Sequence, residues 1–426
     1  MSRSISLGIV VTFVLACFIR TSVSLSPLSS VSSSSTSNAV TDNSITDLMH
    51  ETAVAETERL FQFYSNRGNG ENQKTDSSNA AATLTKPPTV WRSREEAAAY
   101  VRDNIDTVLF DCDGVLYRTT SICPGASECI RELMDSHDKR VLFVTNNAGV
   151  NRRELREKLS RLLQIEHLTT DQMISSSYSS AQYLRGELLG ARSKSNPPRV
   201  HVIGSSGLCE ELVAAGFNVT TGGLSTSLSS PDSEPGSMSR EELAAYDFER
   251  LHPIDALVVG HDTDLNFRKL CVADNLLLRN PDALFVATNR DSFDVVDGDD
   301  SDDNQRRHII GNGATVVALE YSSKRTAINV GKPSKELFEL IRQHGSKSDD
   351  EIQNEFQEND LFDDPSRCLF VGDRLDTDIR FGRDNGMKSL LVMTGVTTAE
   401  TMEELANGTE EEPLPDFIVP YVGMLV

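Results

Sequence analysis

The stretch Val108-Leu-Phe-Asp-Cys-Asp-Gly-Val-Leu-Tyr117 is an apolar run that ends in two aspartates and a turn-permitting glycine. Residues i and i+2 of a strand point to the same side. Asp111 and Asp113 therefore converge just past the strand's C-terminal end, where open α/β sheets hold their ligands. Two like charges so close are costly unless a cation or a proton lies between them. A divalent metal would let one act as nucleophile or ligand and the other as proton carrier. Taken alone, the stretch reads equally well as a buried strand closed by an Asp-Gly turn.

The surrounding pattern supplies the context. Folded sequence begins near Val90. Ser93 followed by Glu95 and Glu96 predicts a capped helix to about Asp103. A strand at 107–111, a helix at 124–136 opened by Pro124, a strand at Arg140–Asn147 and a helix at 151–163 follow. This alternation at short spacing predicts an α/β fold, with a Rossmann-like parallel sheet covered by helices on both faces. Between 177 and 325 the pattern restarts, with apolar runs at Val200–Ile203, Ala256–Val259 and Ala283–Ala287. A second α/β unit is expected there, inserted between core segments 90–176 and 326–426. The core pattern returns at Ala327-Ile-Asn-Val-Gly-Lys-Pro-Ser334, with a helix near 335–343. Strands follow at Cys368-Leu-Phe-Val-Gly-Asp373, Leu390–Val396 and Pro415–Val419. Leu224–Ser239 and Asp297–Gln305 read as surface loops, and 346–366 as an acidic intervening stretch. The Asp-rich run 297–303 lacks a full calcium-loop pattern and reads as a solvated acidic loop.

Upstream of Val90, Arg3 precedes an apolar run from Ile5 to Ile19, then Ser22-Val-Ser24. That is the layout of a signal peptide over residues 1–24. Residues 25–89, rich in Ser, Thr and Asn, read as disordered or as further targeting sequence. The pair suggests entry to the secretory route, or a two-part address to a plastid. A signal anchor and secretion are the alternatives, and no stable membrane association is expected once the signal is removed. The seven cysteines are scattered without a C-x-x-C pair and read as reduced, packing-type residues, which suits a plastid better than secretion. A net charge of −23, from 64 acidic against 41 basic residues, argues against nucleic acid and anionic membranes as partners.

Each chemistry-bearing group lies at or just beyond the end of an apolar run. In one parallel sheet those ends share an edge, so Asp111, Asp113, Thr145, Lys332 and Asp373 are expected to meet in one crevice. Such a set suits phosphoryl transfer. A carboxylate attacks phosphorus, a neighbouring acid protonates the leaving oxygen, a hydroxyl and an ammonium bind phosphoryl oxygens, and Mg²⁺ neutralises charge. Singly, Thr145 is an ordinary strand-end hydroxyl and Lys332 an ordinary surface charge. Asp373, Asp376 and Asp378 would serve as helix caps. Four such stretches in one chain point to a site.

Asp-Cys-Asp-Gly-Val-Leu-Tyr, Val-Thr-Asn-Asn, Gly-Lys-Pro-Ser and Gly-Asp-Arg-Leu-Asp-Thr-Asp-Ile resemble the four signature motifs of the haloacid dehalogenase superfamily of phosphatases. The insert is similar to the C2-type cap of the branch that holds phosphoglycolate phosphatase, pyridoxal phosphatase and 4-nitrophenylphosphatase. The resemblance covers about residues 90–426. It implies Asp111 as nucleophile and Asp113 as general acid/base. It also implies Thr145 and Lys332 on the phosphate, with Asn146 and Asn147 lining the entrance. Mg²⁺ would be held by Asp111, the Asp113 backbone carbonyl and Asp373, with Asp378 in support. Cys112 should face away into packing. Cap-to-cap homodimers are common among similar proteins.

In that branch the cap chooses the substrate, which places attention on Thr288-Asn-Arg-Asp-Ser-Phe-Asp294. Similar pyridoxal phosphatases carry a histidine near Asp294, so an acid there speaks against pyridoxal phosphate. Arg290 is a candidate fork for the carboxylate of a small acid. The expected substrate is a small phosphomonoester, foremost 2-phosphoglycolate; pyridoxal phosphate and a broad 4-nitrophenylphosphatase-like range are the alternatives. A phosphoacceptor signalling module is a rival from another class. Such receivers lack a large insert and carry their extra acids before the acceptor aspartate.

Overall fold

The computed structural model describes residues 42–70, 87–189, 196–221, 239–246, 253–297, 306–344, 364–408 and 412–426. The expected signal peptide, the loop 224–238, most of the 297–303 acidic run and most of 346–366 lie outside them.

The central element is the strand Thr107–Phe110, whose four residues are all buried. It stands inside a seven-stranded parallel sheet. On one side lie Arg140–Thr145 and Met173–Ser175; on the other lie Cys368–Gly372, Lys388–Val392, Phe417–Val419 and Thr89–Val90. The chain leaves the centre in one direction early and in the other late, so a crevice opens at the Asp111 end, where the connections diverge.

Alternating side chains feed two apolar clusters. Val108, Phe110, Val141 and Phe143 pack with the helices Arg94–Asn104, Ala126–Asp135 and Arg152–Leu163. Leu109, Leu142, Val144 and Phe370 pack with Tyr178, Leu337, Ile341 and Phe381 on the opposite face. Helix starts follow their caps: Ser93 accepts from Glu96 N–H, and Asn151 forms a capping box with Glu154. The helix expected from Pro124 begins at Ala126 instead, because Gly125 turns the backbone at φ 68°.

The insert carries its own parallel sheet, in the order Ile328–Asn329, Leu284–Ala287, Ala256–Val259, Arg199–Ile203, Asn218–Thr220. Its edge strand corrects the expected boundary. Ile328 pairs with Val286 of the insert, so the run read as the return of the core pattern belongs to the second sheet. A short apolar run does not say which of two parallel sheets it joins. Lys332 therefore sits where the chain crosses from cap to core. The helix Ser176–Leu188 bridges the two units: Tyr178 packs in the core, while Ala181, Leu184 and Leu188 pack in the cap.

A second difference lies upstream, where residues 25–89 read as disordered or as further targeting sequence and part of the stretch is ordered. Asp42–Gly70 is a 29-residue helix, and Thr89–Val90 pairs with Phe417–Val419 as an edge strand. The helix buries Met49, Ala53, Thr57 and Leu60, a narrow stripe at helical spacing. Two of those four are small or polar, so the stripe is faint against a long polar helix.

Candidate active site

Lys332 is buried to 2 % exposure with its ammonium between two carboxylates. Nζ lies 2.6 Å from Asp111 Oδ1 and 2.8 Å from Asp378 Oδ1, and donates to the Val144 carbonyl at 3.0 Å. Burial works against the ammonium, but Asp111 and then Asp378 outweigh it and raise the Lys332 pKa. Burial also pushes the Asp111 pKa well up; Lys332 opposes that, while Asp378 and Asp373 add to it. Lys332 thus aims the Asp111 carboxylate and supplies a fixed positive charge beside it.

Asp373 completes the acidic group. The ligand oxygens of Asp111, Asp373 and Asp378 lie within 4.8 Å of one another. Burial, then the Asp378 charge, raises the Asp373 pKa to about 7, against the bond from Val396 N–H. Asp373 Oδ2 accepts that N–H at 2.6 Å, and its backbone carbonyl accepts from Thr397 N–H and Oγ1. Its Oδ1 is buried with no hydrogen-bond partner among the described residues. A buried, unpartnered oxygen on a carboxylate grouped with two others is what an oxygen-seeking cation would relieve. The backbone makes room for this group. A Cβ at Gly395 would stand 1.9 Å from Asp373 Oδ2, and one at Gly114 (φ +81°) 2.5 Å from the same atom. The residues therefore fit Mg²⁺, with Asp111 and Asp373 as carboxylate donors. Asp378 is spent otherwise: Oδ1 faces Lys332 and Oδ2 accepts from the Asp373 and Arg374 N–H groups. It acts at once as a turn cap and as the second carboxylate holding Lys332.

Asp113 is exposed to the cavity, where the surrounding protein still desolvates its carboxyl and raises its pKa against the Lys158 charge and a hydrogen bond from the Tyr117 hydroxyl at 3.1 Å. A carboxyl shifted that way is eased toward its protonated form, the form a proton donor needs. Tyr117 closes the first motif, and the tight hairpin Tyr117–Arg118/Ser121–Ile122 turns it back on Asp113. Cys112 faces the apolar cluster, as expected. The described cysteines are all free.

Thr145, Asn146 and Asn147 line the same cavity as Asp111, Asp113, Lys332 and Asp373, a space of about 650 Å³ under the cap. Thr145 Oγ1 accepts from Asn147 N–H at 3.1 Å. Asn146 has a different task from its neighbours. Its Oδ1 accepts from Lys332 N–H at 2.8 Å, and its Nδ2 donates to Asp291 at 2.8 Å. That side chain rivets core to cap and fixes the Lys332 backbone.

Arg290 is the candidate that the structure removes. Both its terminal nitrogens pair with Glu320, at 2.7 and 2.8 Å, and it does not line the cavity. The cap instead presents Asp291, His261 and Asp294, and the core adds Arg118 and Arg374. His261 Nδ1 lies 3.2 Å from Asp294, whose hydrogen bond raises the imidazole pKa against burial. Arg374 donates to the Phe293 carbonyl at 2.9 Å, joining the loop after Asp373 to the cap hairpin Phe293–Asp297/Arg306–Ile310. No motif marks His261, which follows a plain apolar run in the insert.

Two family profiles match the chain: "Haloacid dehalogenase-like hydrolase" over residues 108–218 and "HAD-hyrolase-like" over 329–425. Phosphoglycolate phosphatase 2 of Arabidopsis thaliana is 35% identical, over 76% of this chain and 93% of its own length. Glycerol-3-phosphate phosphatase of Gallus gallus is 34% identical, over 79% and 95%. Among solved structures, the p-nitrophenyl phosphatase from Archaeoglobus fulgidus shares the fold at a TM-score of 0.55 and 24% identity, over 76% of this chain and 98% of that one.

Proposed function

The chain belongs to the haloacid dehalogenase-like hydrolases and is a phosphomonoester hydrolase; on that premise we propose that it is Mg²⁺-dependent and acts on 2-phosphoglycolate through a phosphorylated Asp111. The observation that carries the metal reading is a buried, unpartnered oxygen on Asp373, whose carboxylate lies within 4.8 Å of those of Asp111 and Asp378. Bound there with the Asp113 backbone carbonyl as a further ligand, Mg²⁺ would offset the phosphoryl charge. Asp111, aimed by Lys332, attacks phosphorus and its P–O bond forms as the leaving oxygen departs. Asp113 gives that oxygen its proton, then takes one from the water that cleaves the aspartyl phosphate. Lys332, the Thr145 hydroxyl and the Asn147 region hold the phosphoryl oxygens.

The substrate reading rests on the likeness to a phosphoglycolate phosphatase and on the guanidinium groups of Arg118 and Arg374 along the cavity, the second already paired with Asp376, which add positive charge for a short carboxylate. Glycerol 3-phosphate is the second reading: Asp291 and Asp294 line the same space and would accept from hydroxyls. Phosphate release should be compared for 2-phosphoglycolate, glycerol 3-phosphate, pyridoxal phosphate and sugar phosphates, each with Mg²⁺ and with EDTA. Preference for another ester overturns the substrate reading, and undiminished turnover in EDTA overturns the metal.

Residues 1–41 carry the basic start, the apolar run and the Ser-rich opening of a two-part plastid address. Among the described residues no helix is long and apolar enough to cross a membrane. A fluorescent protein fused behind residues 1–41 should enter plastids; cytosolic fluorescence contradicts the address.

A further inference from the structure

We propose that the helix Asp42–Gly70 is a brace that sets the spacing of the carboxylates of the metal site, with Glu56, Arg59 and Leu60 as its positioning residues. None of its residues lines the cavity. It touches instead three segments that together carry or hold the acidic groups.

Near its start, Thr46 Oγ1 donates to the Ile122 carbonyl at 3.1 Å, on the hairpin that turns Tyr117 toward Asp113. In its middle, Ala53 and the fully buried Leu60 share one apolar cluster with Leu375 and Ile379. Those two residues bound the single π-helical turn Leu375–Ile379, which contains Asp378 and follows Asp373. Along its polar edge, three contacts hold the helix Ala399–Ala406 and the residue that ends it. Glu56 accepts from Ala399 N–H, an end-of-helix donor with no partner inside its own helix. Arg59 forms a two-bond fork on Glu403 at 2.7 and 2.8 Å, and Arg67 donates to Asn407 at 2.9 Å. The segment entering that second helix is the one that grips Asp373, through Val396 N–H and Thr397.

Both routes end on the metal-site acids. The apolar route sets the turn below Asp373 and Asp378; the polar route sets the loop above Asp373. Asp373 must hold its carboxylate close to that of Asp111, so a small drift of either support alters the pair's spacing. Loss of a group that orients a metal ligand typically costs about 10–100-fold in metal affinity or activity. The brace rests on the Mg²⁺ reading above, and the experiment separates the two.

Mg²⁺ binding to the full-length, substrate-free enzyme is measured by titration calorimetry, with thermal unfolding of the metal-free proteins alongside. Leu60→Ala should weaken Mg²⁺ binding by about tenfold, the low end for removal of a ligand-orienting group. Arg59→Glu should weaken it too, and Arg59→Glu combined with Glu403→Arg should restore it. The KM for 4-nitrophenyl phosphate at saturating Mg²⁺ should stay at the wild-type value in all three. Variants that bind Mg²⁺ as tightly as wild type while only their unfolding temperature falls would show a merely structural helix. Wild-type protein that takes up no Mg²⁺ would overturn the metal reading and the brace together. Should Leu60→Ala fail to fold, the surface charge reversal and its rescue decide.

Discussion

Lys332 Nζ lies 2.6 Å from Asp111 Oδ1 although 221 residues separate them in the chain. The contact joins the crossing from cap to core with the central strand of the core sheet. Removing the Asp111 charge with Asp111→Asn should lower phosphate release by about 10³-fold or more, as loss of a nucleophile does. Lys332→Met should cost activity and also about 3–5 kcal/mol of stability in urea unfolding, because two buried carboxylates lose their counter-ion. Substantial turnover by Asp111→Asn would mean that another group attacks phosphorus.

The Tyr117 hydroxyl steadies the ionised form of Asp113. Desolvation by the surrounding protein already raises this carboxyl's pKa, and loss of the hydrogen bond raises it further. A general acid works while protonated, so activity falls as pH climbs through its pKa. Tyr117→Phe should therefore carry that falling limb of the kcat/KM profile to higher pH, with 4-nitrophenyl phosphate as substrate. A limb that stays put or moves to lower pH contradicts the role given to Asp113.

Asp291 is half-buried, and its pKa is raised to about 6, chiefly by desolvation. The folded protein then holds this proton more tightly than the unfolded chain does. Stability from the protonated form is complete below the unfolded value, near 4, and is lost as pH rises through about 6. Asp291→Asn keeps an acceptor for Asn146 and has no charge to bury. It should match wild type in unfolding experiments near pH 4 and exceed it at pH 8 by up to about 3 kcal/mol. Equal stability at both pH values would show that Asp291 ionises without penalty.

Arg290 is engaged by Glu320 outside the cavity. Arg290→Ala should leave the KM for 2-phosphoglycolate and for 4-nitrophenyl phosphate unaltered and shift stability by no more than about 1 kcal/mol, as for other partly exposed pairs. A KM that rises for the carboxylate-bearing ester alone would return Arg290 to the substrate.

The carboxylates, the hydroxyl and the lysine of the site were legible in the sequence because each ends a run whose apolar character identifies a buried strand. Strand ends in a parallel sheet gather at one edge, so Asp111, Asp113, Thr145 and Asp373 could be placed together without coordinates. Even Lys332 was assigned to the right site by the wrong route, since its strand pairs in the cap sheet. Pairing between strands depends on neighbours far along the chain, and local periodicity carries no record of them.

Only the tertiary structure decided the rest, for the same reason. Arg290 and His261 are ordinary polar residues in the sequence, and their assignment turned on Glu320 and Asp294 lying within reach. The helix Asp42–Gly70 is polar over most of its length, so its narrow buried stripe has meaning only beside Leu375, Ile379 and Met402. The order of apolar runs determined the sheet and its reactive edge, because burial is written locally in residue type. Which side chains hold the carboxylates in place was decided by packing, because a contact belongs to two segments at once.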